Sequence, residues 1–166
     1  MEVRAGTSGD VAAVLAMLDN AVRWLVERGR VGQWGTELAS TQARRIDAVT
    51  GWANDGSLYL ACVEGVPAGA LAVGTAPAYV PPATEPELYV NLLVTGRSFA
   101  GRGVGTTLLG HARDLAVARG IGLLRVDCYA GGDRALVRYY ERAGFTATEP
   151  FTVGEWPGQV LEQRLV

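Results

Sequence analysis

Three glycines alternate at positions 101, 103 and 105, and Arg102 stands between the first two. They lie where an apolar run over residues 88–94 leads through a loop into a helical pattern. Glycine lets the backbone approach a ligand closely, with N–H groups pointing at it, and a helix N-terminus adds a partial positive charge. This segment therefore predicts a backbone site for an anion, most simply a phosphate group.

Several kinds of glycine loop fit this description in different degrees. A Walker P-loop is excluded because no Gly-Lys-Ser/Thr follows the glycines. A dinucleotide-binding loop would suit Asp127 downstream, but it needs a tight turn directly after the strand and a G-x-G-x-x-G spacing. Here residues 95–100 separate the strand from the glycines, which are spaced G-x-G-x-G. A turn that merely connects a strand to a helix stays open as an alternative.

The composition narrows the class of protein. A chain of 166 residues, 49% hydrophobic and 19% charged, predicts one globular domain over residues 1–166. The net charge of −2 gives no reason to expect a nucleic acid or an anionic membrane as a partner. We expect a cytoplasmic protein, since no apolar run is long enough to cross a bilayer and no signal peptide is recognisable. Cys62 and Cys128 are far apart in apolar runs, which predicts reduced thiols and no metal site.

Hydrophobic periodicity and turn residues predict the elements that position the loop. After a short apolar stretch at Val3, they follow one another in the order β-α-α-β-β-β-α-β-α-β-β. This order predicts an α/β fold with a mixed, mostly antiparallel sheet and helices on both faces. The predicted helices cover residues 11–25, 36–54, 103–119 and 134–143, and the later strands cover 57–63, 68–74, 88–94, 123–129, 145–153 and 160–166.

Two segments resemble the GCN5-related N-acetyltransferase (GNAT) superfamily. The family loop has the pattern Arg/Gln-x-x-Gly-x-Gly/Ala, and Gly103-Val104-Gly105 matches its glycine end. Ala100 stands where the family has Arg or Gln, so Arg97 or Arg102 would have to supply the positive charge.

The downstream segment resembles the family pattern Asn-x-x-Ala-x-x-x-Tyr-x-x-x-Gly-Phe. Tyr140, Gly144 and Phe145 match it, and Asp133 takes the place of the Asn. The resemblance implies the GNAT fold, acetyl-CoA as co-substrate without a metal, and acetyl transfer to an amine of a small molecule or peptide. The residues that it implies for acetyl-CoA are Leu92, Leu93, Val94, Arg102, Gly103, Val104, Gly105, Thr106 and Asp133.

The resemblance also implies catalytic roles. Tyr140 corresponds to the tyrosine that protonates the leaving thiolate, although an aromatic residue that merely packs is the alternative. Tyr139 points roughly 100° away around the helix, so it cannot share this role. Glu87 is the candidate general base, and the alternative is a solvated charge at the start of a strand.

The acceptor pocket in this family is built from the N-terminal helices and the loop between them. Gln33 and Trp34 lie between glycines in that loop, and Asn91 lies on the strand that carries the pantetheine contacts. Trp34 could equally close the end of the sheet. Neither the acceptor nor the oligomeric state follows from the sequence, although a homodimer is the commonest assembly. A catalytically silent CoA-binding module with a regulatory role is the alternative function.

Overall fold

The computed structural model of the chain describes residues 1–165. It confirms the predicted order of elements and the mixed α/β class, with seven strands and four α-helices. The strands are hydrogen-bonded in the order β1-β2-β3-β4-β5-β7-β6. The elements are β1 (Glu2–Ala5), α1 (Val11–Glu27), α2 (Ala43–Asp55), β2 (Leu58–Val63), β3 (Val66–Gly74), β4 (Leu88–Thr95), α3 (Val104–Ala118), β5 (Leu123–Tyr129), α4 (Ala135–Arg142), β6 (Thr146–Val153) and β7 (Trp156–Arg164).

The chain forms two compact units, which are described separately below. The first comprises residues 1–73 and 92–111, and the second comprises residues 74–91 and 112–166. Strand β4 and helix α3 are each divided between the two units. The interpretation of residues 1–166 as a single domain stays a prediction.

The first unit is built on an antiparallel meander. Strand β1 pairs with β2, where Val3 lies opposite Ala61, and β2 pairs with β3, where Leu60 lies opposite Ala70. The apolar stripe of α1 packs against these strands, as its helical spacing predicts. The core of this unit includes Val14, Leu18, Val49, Leu58, Leu60, Ala70, Leu92 and Val94.

The second helix was predicted over residues 36–54, but α2 begins only at Ala43. Residues 39–41 form a 3₁₀ turn that is held by Asp19 of α1. The Ser40 backbone N–H and hydroxyl donate to the two Asp19 carboxylate oxygens at 3.0 and 2.6 Å. These two hydrogen bonds satisfy the buried carboxylate, which is 6% exposed, and fix the segment that precedes α2.

The second unit combines one parallel and two antiparallel strand pairs. Strand β5 pairs with β7 along its whole length, from Leu123 opposite Arg164 to Tyr129 opposite Gly158. The parallel pairing of β4 with β5 is much shorter, because it runs from Leu88 opposite Leu124 to Val90 opposite Val126.

Strand β6 pairs with β7 and contains an irregularity between Ala147 and Pro150. Sequence periodicity placed the last strand over residues 160–166. It begins earlier, at Trp156, and ends at Arg164. The end of the predicted strand, Val166, lies outside the described residues.

Candidate active site

The glycine loop begins directly after β4. The Gly96 N–H donates to the Ala68 carbonyl at 2.7 Å, and a 3₁₀ turn over Arg97–Phe99 follows. Gly101 and Gly103 then adopt left-handed backbone conformations, with φ of +76° and +77°. A Cβ on either glycine would meet nothing within 4 Å, so backbone conformation rather than lack of space calls for glycine.

Helix α3 begins immediately after these glycines, at Val104. The Thr107 N–H is the donor that bonds to the Gly103 carbonyl, at 3.0 Å. The N–H groups that precede it, at positions 104–106, have no acceptor within an α-helix. A left-handed loop followed by unsatisfied helix N–H groups is an arrangement that binds the oxygens of a phosphate group.

Gly69 of β3 supports this loop from within the first unit, and no local sequence pattern marks it. A Cβ at Gly69 would lie 2.5 Å from Cγ1 of Val104 and 2.9 Å from the Val94 carbonyl oxygen. Any larger residue would therefore displace either the start of α3 or the backbone of β4. The close approach of β3 therefore fixes the position of Val104, the first residue of α3.

The two arginines near the loop have different surroundings. The Arg97 guanidinium lies over the Trp24 ring at 4.0 Å, and Arg28 lies over the same ring at 4.1 Å. Arg102 lies within the glycine loop, with its guanidinium 5.5 Å from the Phe99 ring centroid. Of the two candidates to replace the missing charge at Ala100, Arg102 is the one that lies between the two left-handed glycines.

The second half of β4 offers backbone rather than side chains. Leu92 and Val94 are buried in the core of the first unit, and Leu93 is half-buried. Thr106, on the first turn of α3, is exposed. The predicted role of residues 92–94, hydrogen bonding through the main chain, is compatible with this burial.

Tyr140 is a buried residue of α4. The residue is 7% exposed, and its ring packs edge-on against Phe145 at 5.7 Å and Tyr139 at 5.2 Å. Among residues 1–165, no group forms a hydrogen bond with the Tyr140 hydroxyl. Burial raises the pKa of Tyr140, so the phenol holds its proton at neutral pH.

Glu87 is an ion-paired residue rather than a solvated charge. The Arg125 Nε donates to its Oε2 at 2.9 Å, and Nη2 donates to its Oε1 at 3.3 Å. Both Nη atoms of Arg125 also donate to the Pro81 carbonyl at 3.0 Å. Arg125 is 4% exposed, so this pair anchors the 75–86 loop on the second unit.

Two further predicted residues of the second unit make local contacts. Asn91 donates from Nδ2 to the Thr75 carbonyl at 2.9 Å and is half-buried. Asp133 accepts the Ala135 N–H at 3.0 Å, and its carboxylate lies 3.7 Å from Nη2 of Arg138. Asp133 therefore caps the start of α4.

The predicted acceptor residues Gln33 and Trp34 lie in the first unit, between α1 and α2. Both are half-buried. Trp34 packs against the core of that unit, and the Arg45 guanidinium lies 5.9 Å from its ring centroid.

A buried pair in the second unit was missed by the site prediction. The Tyr89 hydroxyl donates to Oδ2 of Asp127, and Tyr89 is fully buried. Burial raises the pKa of Asp127, while the Tyr89 hydrogen bond and the Arg125 charge oppose that shift. The signal available in the sequence was a single carboxylate inside the apolar strand 123–129.

Comparison with known proteins decides the family. Residues 18–145 match the model of the acetyltransferase (GNAT) family. The chain belongs to the GNAT acetyltransferase family. It is accordingly an acyltransferase of a family that uses acetyl-CoA. A search of curated proteins finds no match.

Solved GNAT structures show the same fold at low sequence identity. A ribosomal-protein-alanine N-acetyltransferase from Brucella melitensis is 20% identical with a TM-score of 0.71, over 99% of this chain and 100% of that one. A GNAT acetyltransferase from Listeria monocytogenes is 20% identical with a TM-score of 0.73, over 99% and 94%. YncA from Salmonella typhimurium, solved with acetyl-CoA, is 18% identical with a TM-score of 0.70, over 100% and 94%.

Within residues 1–165 no helix is both long and apolar enough to span a bilayer. The same residues contain no group of three or more His, Cys, Asp or Glu side chains arranged to hold a metal ion.

Proposed function

We propose that this GNAT protein transfers the acetyl group of acetyl-CoA to an amine of a small molecule or peptide. The observation that carries the proposal is the loop at residues 101–106, where two left-handed glycines precede the unsatisfied N–H groups of α3. When bound, acetyl-CoA supplies the acetyl group as a thioester. The loop fits its pyrophosphate because the space beside Gly101 and Gly103 is open.

The cofactor contacts follow the family resemblance. The amides of Gly103, Val104, Gly105 and Thr106 would hold the pyrophosphate, with Arg102 as the charged side chain of the loop. The backbone of residues 92–94 would hydrogen-bond the pantetheine arm. The parallel pairing of β4 with β5 ends at Val90, two residues before Leu92. Beyond this point, within the described residues, the pairing with β5 does not use the backbone groups of residues 92–94, which supports this role. Asp133 already caps α4, so its part in binding acetyl-CoA rests on its place in the motif.

Tyr140 is proposed as the general acid. Transfer forms a C–N bond to the amine and breaks the C–S bond, so one proton must leave the nitrogen and one must reach the sulfur. The phenol of Tyr140 is protonated at neutral pH and can supply the second proton, and its place in the family motif supports this role.

The remaining predicted roles stay predictions. For Glu87 to act as general base, its carboxylate would have to take a proton while Arg125 holds both oxygens. Gln33, Trp34 and Asn91 are proposed to line the acceptor pocket. The cytoplasmic location and the homodimer are not tested by the fold.

The proposal is tested by calorimetric titration of acetyl-CoA and by thiol release with a panel of amines. We expect acetyl-CoA to bind and at least one amine to release free CoA. Y140F should lower kcat by on the order of 10²-fold without changing acetyl-CoA affinity. Y139F is the matched control, because Tyr139 is the neighbouring tyrosine on α4, and should leave kcat within about twofold.

Two outcomes would contradict the proposal. A protein that binds CoA but releases no thiol with any amine would be the silent regulatory module. A protein that is stabilised by inorganic pyrophosphate but not by acetyl-CoA would bind a different phosphate compound.

A further inference from the structure

Four aromatic side chains of the second unit form a continuous row. The Tyr79 and Phe151 rings stack at 5.9 Å with an interplanar angle of 29°. Phe151 lies 6.2 Å from Trp156, and Trp156 lies 5.7 Å from Tyr129. Tyr79, at one end of the row, is 53% exposed, and the other three are half-buried. We call these four residues the aromatic row.

Strand register places Asp127 on the same face as this row. In an antiparallel pair, directly opposed residues share a face, as do residues two apart on one strand. Tyr129 and Phe151 both lie opposite Gly158, and Asp127 is two residues before Tyr129. The Asp127 carboxylate is therefore adjacent to the end of the row that Tyr129 forms.

Gly158 allows the row to lie flat on the sheet. A Cβ at this position would come within 2.4 Å of the Phe151 ring. The ring therefore rests directly on the β7 backbone, and any larger residue would lift it. Val160, the next residue of β7 on this face, packs with Tyr89 and Phe151 in a small apolar cluster.

The Asp127 carboxylate has one occupied and one available oxygen. Oδ2 accepts the Tyr89 hydroxyl, whereas Oδ1 accepts no hydrogen bond from residues 1–165 and is not enclosed. The nearby cation, Arg125, is committed to Glu87 and to the Pro81 carbonyl. Asp127 can therefore take a positively charged ligand without breaking an existing ion pair.

The other groups that act on Asp127 are uncharged at neutral pH. Burial raises the pKa of Tyr89 on β4 and the pKa of Tyr140 on α4, so both phenols are neutral. Burial raises the pKa of the neighbouring Cys128 thiol to about 12. The Arg125 charge, which is paired with Glu87, lowers the pKa of Asp127.

We propose that Asp127 and the aromatic row form the acceptor subsite, and that the acceptor is an amine carrying a flat aromatic body. This inference rests on the proposed function. The ammonium group pairs with Oδ1 of Asp127 while the aromatic body lies along the row. Asp127 then takes one proton: the N–H bond breaks, an O–H bond forms on Oδ1, and the nitrogen keeps the electron pair with which it attacks.

The row favours one class of amine over others. A polyamine has no aromatic body to stack along the row, and the single carboxylate can pair with only one of its ammonium groups. An acceptor with its own carboxylate beside the amine would place a negative charge next to Asp127. A monoamine with an aromatic body matches both the single carboxylate and the apolar surface.

The substrate class is tested by thiol release with 2-phenylethylamine, 2-cyclohexylethylamine, butylamine and spermidine. We expect kcat/KM for 2-phenylethylamine to exceed that for butylamine and spermidine by at least tenfold, with the cyclohexyl compound between them. W156L should reduce this preference about tenfold, whereas W156F should keep most of it. Equal kcat/KM values for all four amines would overturn the inference.

The role of Asp127 is tested with D127N, which is isosteric and keeps an acceptor for the Tyr89 hydroxyl. We expect kcat/KM for 2-phenylethylamine to fall at least 50-fold and its acidic pH limb to disappear. Acetyl-CoA affinity should stay within twofold. The control is D114N, since Asp114 is an exposed carboxylate on α3. A D127N enzyme with wild-type kcat/KM and pH profile would show that Asp127 neither binds the amine nor takes its proton.

A binding measurement separates this inference from the proposed function. Titration of 2-phenylethylamine into the protein, with and without CoA, requires no turnover. If acetyl-CoA does not bind but the amine does, and D127N abolishes that binding, the proposed function fails and the amine subsite stands. If acetyl-CoA binds and other amines turn over while 2-phenylethylamine does not bind, the subsite inference fails alone.

Discussion

Arg125 holds both carboxylate oxygens of Glu87, with Nε 2.9 Å from Oε2 and Nη2 3.3 Å from Oε1. The same guanidinium donates to the Pro81 carbonyl, so one side chain of β5 holds two points of the segment that precedes β4. A residue predicted as a general base is thus part of a structural ion pair.

Replacing Glu87 should destabilise the protein more than it slows turnover. E87Q leaves the nearly buried Arg125 without its counter-charge, which we expect to cost about 2–3 kcal/mol of unfolding free energy. Urea denaturation measures this loss. The control is E85Q, whose carboxylate pairs with Arg164 at the surface and should change stability little. A stable E87Q enzyme whose kcat has dropped 100-fold would instead identify Glu87 as the base.

Asp10 should make the stability of the protein depend on acidity. Hydrogen bonds from Arg4, at 2.9 Å to each oxygen, lower the pKa of Asp10 to about 2. A pKa below the unfolded value stabilises the fold above about pH 4, and this contribution is lost as the pH falls towards 2.

We therefore expect D10N to lower the unfolding free energy by about 1–2 kcal/mol at pH 7, since the 40% exposure of Arg4 weakens the pair. The difference from wild type should vanish near pH 2. Denaturation curves across pH 2–7 measure it, with D47N on the exposed side of α2 as control. A difference that does not change with pH would contradict this account.

Gly69 should tolerate no side chain. G69A places a methyl group on β3, 2.5 Å from Cγ1 of Val104 and 2.9 Å from the Val94 carbonyl oxygen, so α3 or β4 must move away from β3. We expect a loss of about 1–3 kcal/mol of unfolding free energy and weaker acetyl-CoA binding, because Val104 begins the turn that we propose binds the pyrophosphate. Thermal unfolding and calorimetry measure the two effects.

The matched control for G69A is G110A within α3, where a Cβ meets nothing within 4 Å. That substitution should stabilise the protein by about 0.5–1 kcal/mol, because alanine favours a helix more than glycine. Equal effects of G69A and G110A would show that the close approach of β3 does not matter.

The two arginines near the glycine loop should respond differently to removal. R102A should weaken acetyl-CoA binding about tenfold at low salt, since it removes the charge of the loop. R97A should leave the affinity within about twofold, because its guanidinium is stacked on Trp24. Titrations at two salt concentrations measure this, and the R102A effect should shrink at high salt. The reverse ranking would assign the missing charge at Ala100 to Arg97.

Local sequence patterns predicted the elements best where no tertiary contact overrides them. Both ends of β5, at residues 123 and 129, were predicted correctly, and each end of α3 was predicted to within one residue. The start of α2 was not predicted, because Asp19, on another helix, holds the preceding segment in a 3₁₀ turn. Such a contact between distant residues leaves no periodic signal in the sequence.

In the candidate site, too, local features were predicted from the sequence and contacts between distant residues were not. Glycine spacing revealed the loop because a left-handed backbone requires glycine at fixed positions. The Tyr89–Asp127 hydrogen bond spans 38 residues and depends on the parallel register of β4 and β5. The need for glycine at Gly69 and Gly158 likewise depends on which side chain packs over each backbone. None of these features follows from local spacing.

Helix α4, which carries Tyr140, is only eight residues long and buries Val137 and Tyr140 alone. A helix of about two turns has almost no stability of its own in water, so its order depends on these two side chains. The amides of α4 should therefore open locally and exchange their hydrogens sooner than those of the 15-residue α3. We therefore expect that α4, which carries the proposed proton donor, needs less free energy to unfold locally than α3 does.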